Sequence, residues 1–143
     1  MAKPGNIHFF PEGVRYDLKG KRRIRQWIIQ AIENEKHKLG ILNFIFTSDD
    51  ILLELNQHYL GHDTLTDIIT FDMSDMKNRL EGDIYISLDR AKENSKIYKE
   101  TIEREVSRLI IHGVLHLAGY MDKTRAQQAD MRAKEDYYLT LLP

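Results

Sequence analysis

The segment from residue 100 to residue 117 constrains the fold most strongly. Apolar side chains recur in it at helical spacing, and toward its end the segment is apolar on almost every side. A helix that is apolar all round belongs in the interior of a protein. We therefore predict a central, buried helix. Its core side carries Ile102, Val106, Leu109, Ile110 and Leu117.

Two histidines, His112 and His116, stand four residues apart near the end of this helix. Four residues make about one helical turn, so both imidazoles lie on one face and can reach a single metal ion. Gly119 can take the left-handed conformation that ends a helix, and the chain would then bring Asp122 to the same ion. The pattern predicts a metal site of His112, His116 and Asp122 with one coordination position open, as in catalytic zinc centres.

The histidine spacing equals that of the metallopeptidase signature H-E-x-x-H-x-x-G-x-x-H. Gly113 stands where that signature has a glutamate, the general base of peptide hydrolysis. Its absence argues against a peptidase, although the metal ligands remain. The alternative interpretation treats the two histidines as satisfied core or capping groups and Asp122 as an ordinary turn residue.

The motif that includes Gly113 reads H-G-x-L-H-L-x-G-Y, and through it the sequence resembles the YbeY family of metal-dependent endoribonucleases, which mature bacterial ribosomal RNA. The resemblance extends over the middle and last parts of the chain. The further matching residues are Leu55, Asn56, Tyr59, Gly61, Asp63, Thr66, Asp67, Gly82, Asp83 and Ile84.

Two positions depart from the family pattern. The third ligand of the family is usually a histidine that follows an aspartate, whereas here Met121 precedes Asp122, so an acid fills the ligand position. An anionic ligand lowers the charge of a zinc site, acidifies a bound water less and favours harder ions such as manganese. The second departure is Leu60, where the family usually carries an arginine for catalysis or phosphate binding. That role is therefore not assigned to this chain.

Length and composition favour a single domain, which we predict to span residues 1–143. A chain of this length can bury about two-thirds of its unfolded surface without disulfides, and it contains no cysteine. A membrane span needs about 18 consecutive apolar residues, and this chain has no apolar run of that length. It also has no signal-peptide pattern, so we expect a cytoplasmic protein outside the membrane. The net charge of −1 means that RNA binding needs a local basic patch.

A basic patch stands at the start of a helix predicted at residues 19–38, which Gly40 would end. The helix dipole disfavours positive charge there, so an anion is expected nearby. We interpret Lys21, Arg22 and Arg23 as candidates for RNA-phosphate contact. The alternative is an ordinary solvated helix face.

Two further residues are candidates for phosphate contact. Arg108 precedes His112 by about one turn and is a candidate replacement for the missing arginine, although a surface ion pair with Glu105 or Glu103 is the favoured interpretation. His62 lies in a predicted loop whose side chains either reach the metal cleft or only stabilise turns.

The remaining patterns predict an α+β fold with a single mixed sheet of about four strands, about five helices and the metal motif at the end of the central helix. Capping boxes are expected at Thr47 with Asp50 and at Thr124 with Gln127, the second opening a closing helix. Its apolar face is Ala129, Met131, Tyr138, Leu139 and Leu142. Strands are predicted at 6–10, 41–47, 67–73 and 82–87, and a short helix at 89–95. The last two strands would wall the metal cleft.

These features predict a single-strand-specific, metal-dependent endoribonuclease in which a metal-bound water attacks the phosphodiester. The cofactor would be one Zn²⁺ per chain, with another divalent ion as the alternative. The resemblance implies a role in ribosomal RNA maturation at the 3′ end of 16S rRNA and in ribosome quality control. It also implies ribosomal RNA, ribosomal subunits and the GTPase Era as partners. The alternative function is an assembly factor that binds RNA and ribosomes and whose metal is structural.

Overall fold

The computed structural model describes residues 5–61 and 66–143, in which the chain forms four strands and five helices. The strands are β1 (Asn6–Pro11), β2 (Lys38–Thr47), β3 (Ile68–Asp72) and β4 (Arg79–Ser87). The helices are α1 (Lys21–Asn34), α2 (Asp49–Leu60), α3 (Leu88–Tyr98), α4 (Ile102–Leu117) and α5 (Arg125–Thr140).

The strands form one mixed sheet in the order β1-β2-β4-β3. β2 pairs in parallel with both β1 and β4, and the chain passes through helices between these partners, as parallel pairing requires. β3 leads directly into β4 and pairs with it antiparallel. The predicted α+β fold, with one mixed sheet and five helices in the described residues, is confirmed.

The core lies on one face of this sheet. Alternate residues of β2 and β4 point to that face and are almost completely buried, since a strand turns every second side chain to the same side. They are Leu42, Phe44, Phe46, Leu80, Ile84 and Ile86. The α4 helix packs on β3 and β4 and has no exposed surface at Val106, Ile110 or Val114. The central helix is therefore buried as predicted, except that Ile102 at its first turn is 37% exposed.

Gly113 allows α4 to lie this close to the strands. A Cβ at this position would stand 2.8 Å from Cγ2 of Ile84 and 3.1 Å from Cδ1 of Ile68. Both isoleucines are β-branched and packed, so neither side chain can move aside easily. The glutamate of the peptidase signature has no room here, so Gly113 has a packing role.

The first two predicted helix boundaries need correction. α1 ends at Asn34, because Lys36 adopts a left-handed conformation with φ 62° and turns the chain into β2. Gly40 therefore lies inside a strand and does not end the helix. In that strand it faces β4 closely, since a Cβ would lie 2.8 Å from the carbonyl oxygen of Leu80.

At α2, Ser48 and not Thr47 is the N-cap residue, and its side chain accepts a hydrogen bond from the N–H of Ile51. Thr47 is the buried last residue of β2, and its hydroxyl donates to the carbonyl oxygen of Glu12. The capping box predicted at Thr47 is therefore wrong.

The closing helix begins as predicted. Thr124 and Gln127 form a capping box at the start of α5. Of the predicted apolar face, Met131, Tyr138 and Leu139 are buried, whereas Ala129 is exposed. Trp27 of α1 donates its indole N–H to the carbonyl oxygen of Tyr138 at 2.7 Å, which fixes α5 to the first helix. No helix in the described ranges has the length and apolarity needed to cross a membrane.

Gly113→Ala should destabilise the protein by about 1 to 2 kcal/mol, although alanine is the better helix former. The added methyl group would overlap Ile84, and that cost exceeds the gain in helix propensity. Urea denaturation followed by circular dichroism measures the change. An unchanged or higher unfolding midpoint would show that α4 does not need the close approach.

Candidate metal centre

His112, His116 and Asp122 converge at the end of α4, as their spacing predicted. One potential ligand atom from each residue lies within 4.8 Å of the other two, and all three residues are partly buried. Nε2 of His116 is 3.2 Å and Nε2 of His112 is 3.4 Å from Oδ2 of Asp122. This group could hold a metal ion.

The turn after α4 brings Asp122 back toward the histidines. Gly119 has φ 108°, a conformation that favours glycine, and its N–H donates to the carbonyl oxygen of His116. The N–H of Tyr120 donates to the carbonyl oxygen of Leu115. These two bonds make a Schellman motif, which ends the helix and reverses the chain.

The second nitrogen of each histidine is fixed by a hydrogen-bond acceptor. Nδ1 of His112 lies 2.6 Å from Oε2 of Glu135, and Nδ1 of His116 lies 3.0 Å from the carbonyl oxygen of Tyr120. A carbonyl oxygen only accepts, so Nδ1 of His116 carries a proton, and in the neutral ring Nε2, which faces Asp122, has the lone pair that can bind a metal ion. Metal-binding histidines show this arrangement, and the donor set therefore fits a divalent ion.

Glu135 is a residue of the site that the sequence reasoning missed. It is only 5% exposed, and its other carboxylate oxygen accepts from Nη1 of Arg108 at 3.0 Å. The signal was present, since Glu135 lies between Met131 and Tyr138 at helical spacing in the buried stripe of α5. A carboxylate within an apolar stripe requires a partner, because an unpaired buried charge is costly.

Arg108 is not placed as predicted. Its guanidinium bonds Glu135 and also Asp136 at 2.8 Å, and its side chain is 12% exposed. The expected surface ion pair with Glu103 or Glu105 is wrong, because α5 covers this face of α4 and supplies two carboxylates there. Its charge is thus neutralised by α5.

The pKa of His112 reflects these neighbours. Burial lowers this pKa. The hydrogen bond from Nδ1 to Glu135 and the negative charges of Glu135, Asp67 and Asp122 raise it by more than burial lowers it, so the net pKa lies above the ordinary 6.5. A surplus of carboxylates around the histidines thus favours a cation at this place.

Two cavities open beside the metal-ligand group. A cavity of about 390 Å³ is lined by α2 and β3, including Asn56, Leu60 and Thr70. A second, of about 220 Å³, lies among α3, α4 and α5. The predicted wall at β3 is present, but neither cavity is lined by β4, which lies beneath Gly113 instead.

Asp67 lines both cavities, together with His112 and Asp122. Burial raises the pKa of its carboxyl, and the nearby positive charge of a protonated His112 only partly opposes this shift. Asp67 matches the family pattern and the predicted start of a strand that walls the cleft, but the sequence did not identify it as a site residue. It joins the site because β3 begins beside the end of α4.

Glu35 supports the orientation of His116 indirectly, through Tyr120. Its side chain is 8% exposed and accepts hydrogen bonds from the hydroxyls of Tyr120, at 2.6 Å, and Tyr138, and from Nζ of Lys134 at 3.1 Å. Burial raises its pKa, but these three bonds outweigh that effect and the net pKa is lowered. They hold Tyr120, whose carbonyl oxygen orients His116. This group borders a cavity of about 820 Å³, and His112, His116 and Asp122 are not among its lining residues.

The other predicted RNA contacts lie apart from this centre or are not described. Lys21, Arg22 and Arg23 occupy the first turn of α1 and line neither cavity of the metal centre. Lys21 pairs with Asp17 at 2.8 Å, which supplies a counter-charge at the helix start. His62 lies outside the described residues.

Comparison with known proteins shows first the class of this protein: it is an endoribonuclease. A family model described as "Endoribonuclease YbeY" matches residues 13–142. The chain therefore belongs to the YbeY family. This confirms the resemblance found in the sequence and the prediction of an endoribonuclease, which is a hydrolase.

Two relatives show how far the similarity extends. An "Endoribonuclease YbeY" from Cytophaga hutchinsonii is 46% identical over 139 residues, which cover 97% of each chain. One from Porphyromonas gingivalis is 38% identical over 99% of this chain and 91% of its own. The solution structure of TM1509 from Thermotoga maritima is 29% identical, has a TM-score of 0.66 and matches 96% of this chain and 89% of its own.

Glu135→Gln should weaken the binding of a divalent ion by about 10- to 100-fold, because the uncharged amide orients and polarises His112 less. Titration with Zn²⁺ in competition with a chromogenic chelator measures the affinity. Asp136→Asn is the matched control, since Asp136 bonds Arg108 but does not bond His112. Equal losses in both variants would show that Glu135 acts only through Arg108.

Glu35 should make the stability pH-dependent. Because its folded pKa lies below the ordinary 4.5, its contribution is complete above that value and is lost as the pH falls through the lowered folded value. Between neutral pH and about pH 3, the wild type should therefore lose more unfolding free energy than Glu35→Gln. Urea denaturation at a series of pH values tests this, with the exposed Glu33→Gln as control. Parallel curves for wild type and Glu35→Gln would contradict it.

Proposed function

We propose that residues 1–143 form one endoribonuclease domain that cleaves single-stranded RNA with a metal ion held by His112, His116 and Asp122. One observation carries the proposal: both Nε2 atoms face Oδ2 of Asp122 at 3.2 and 3.4 Å. The family supports RNA as the substrate, since the relatives are named endoribonucleases.

The protein's own groups prepare the site. Glu135 holds the Nδ1 proton of His112, and the carbonyl oxygen of Tyr120 holds that of His116, so both rings keep the orientation in which Nε2 faces Asp122. Asp122 adds a negative charge to the ligand set. A divalent ion bound there would polarise a phosphodiester oxygen and provide a nucleophile near neutral pH.

We propose one Zn²⁺ per chain as the cofactor. Two imidazoles and one carboxylate form a three-ligand set that zinc accepts while it keeps an open position. Manganese or another divalent ion is the competing candidate, because the carboxylate of Asp122 suits harder ions better than a third imidazole would.

The proposed substrate is ribosomal RNA, with cleavage at the 3′ end of 16S rRNA and a role in ribosome quality control. Ribosomal subunits and the GTPase Era are proposed as partners, and the cytoplasm, where ribosomes assemble, as the location. These assignments rest on the family resemblance. Contact with RNA phosphate outside the metal-ligand group stays a prediction for four residues, which are Lys21, Arg22, Arg23 and His62.

The test is cleavage of a single-stranded fragment of the 16S rRNA 3′ end by metal-analysed protein. We expect about one metal ion per chain, and we expect His116→Ala and chelation each to reduce cleavage to background, because either removes the ion. Thermal melts show whether the proteins stay folded. An exposed lysine variant, Lys77→Gln, controls for general loss of charge.

The result also separates the proposed nuclease from an assembly factor. If the wild type binds metal and RNA but cleavage never exceeds background, and chelation only lowers the melting temperature, the nuclease is rejected. The metal would then be structural, and the protein would act by binding.

A further inference from the structure

The 220 Å³ cavity beside the metal-ligand group is built from three helices, and each contributes one stripe of residues. Asn94 and Tyr98 come from α3, and His112 is one of the residues from α4. Arg132 and Glu135, about one turn apart, come from α5. Asp122 lines the same cavity. The space is therefore continuous with the candidate metal site.

This cavity carries an excess of acidic groups. Asp67, Glu105, Asp122 and Glu135 line it, and burial raises the pKa of Glu105. An RNA phosphodiester is an anion, so it enters such a space favourably only if cations offset the carboxylates. One divalent ion does this in part, and a side-chain cation close by would complete it.

The two arginines that line the 220 Å³ cavity, Arg108 and Arg132, differ in whether nearby carboxylates neutralise their charge. Arg108 is 12% exposed, and Glu135 and Asp136 neutralise its charge. The 390 Å³ cavity on the other side of the ligand group is lined by no lysine or arginine among the described residues, and Leu60 lies there. Arg132 is therefore the remaining basic side chain among the described residues that line either cavity.

Arg132 is exposed, and its guanidinium group lies over the ring of Tyr98. Its guanidinium carbon lies 5.5 Å from the centroid of the Tyr98 ring. In the described part of the chain, no carboxylate is within ion-pair distance of Arg132, and Glu105 acts on it at longer range. Packing over a ring positions a guanidinium without using its N–H donors, and the planar donor fork matches two phosphate oxygens.

We propose that Arg132 is the phosphate-binding cation of the metal site, that it contacts a phosphate of the bound RNA strand, and that Tyr98 positions it. The inference rests on the proposed function, because it assumes RNA as the ligand. It assigns to α5 a role in binding the substrate in addition to its contact with His112.

The experiment compares wild type with Arg132→Gln and Arg132→Lys, using the same single-stranded rRNA fragment. We expect kcat/KM to fall by about 10- to 100-fold in Arg132→Gln, and by less in Arg132→Lys, which keeps the charge but loses the planar donor fork. The matched control is Arg125→Gln, because Arg125 is exposed at the start of the same helix and lines neither cavity.

Two further readouts distinguish a phosphate contact from a structural effect. RNA binding measured by fluorescence anisotropy at several salt concentrations should show a log–log slope reduced by about 0.7 in Arg132→Gln, the value for one contact with a single strand. Tyr98→Ala should lower kcat/KM, and Tyr98→Phe should restore most of that loss because the ring is retained. Zinc affinity should be the same in all these variants.

Each result bears on the proposal. If wild type cleaves RNA and Arg132→Gln matches it in kcat/KM and salt slope, the role of Arg132 is rejected while the proposed function stands. If wild type binds RNA without cleaving it, the proposed function fails, and the salt slope alone supports or rejects the Arg132 contact. A wild type that neither binds nor cleaves RNA overturns both.

Discussion

The hydrogen bond between Nδ1 of His112 and Oε2 of Glu135, 2.6 Å long, joins the central helix to the last helix at the point where the candidate metal site forms. Both groups are largely withdrawn from solvent, and Arg108 satisfies the second oxygen of Glu135. A buried carboxylate would be unfavourable without these partners. The orientation of His112 thus depends on how α5 packs against α4. The geometry of the candidate metal site therefore depends on tertiary structure, although His112, His116 and Asp122 are close together in sequence.

The docking of α5 has its own supports. The capping box at Thr124 starts the helix two residues after Asp122, so the turn that brings Asp122 to the histidines also sets where α5 begins. At the other end, Trp27 donates to the carbonyl oxygen of Tyr138. The hydroxyl of Tyr138 in turn reaches Glu35, which holds Tyr120. Both histidines are therefore oriented by groups that this last helix and its contacts keep in place.

The sequence allowed the sheet, the helices and the three clustered side chains to be predicted because those features follow from local spacing. His112, His116 and Asp122 lie within eleven residues, and Gly119 supplied the turn. The failures at the candidate site concern partners distant in sequence. Glu135 lies 23 residues from His112, and the partners of Arg108 lie on α5, so neither followed from the helix pattern of α4 alone. The end of α1 was misplaced because a lysine, Lys36, took a left-handed conformation that glycine usually occupies.

The carboxylate of Asp122 beside the two histidines has an electrostatic consequence for the whole site. Asp67, Glu105 and Glu135 already line the neighbouring cavity, and Asp122 adds a fourth carboxylate, so the local potential is less favourable for a phosphate. Leu60, which lines the 390 Å³ cavity, adds no positive charge there. If RNA binds here as proposed, the offsetting charge comes from another element, and α5 places Arg132 at the cavity about one turn before Glu135. One face of α5 thus carries both Glu135, which bonds His112, and Arg132, whose positive charge partly offsets the carboxylates of the cavity.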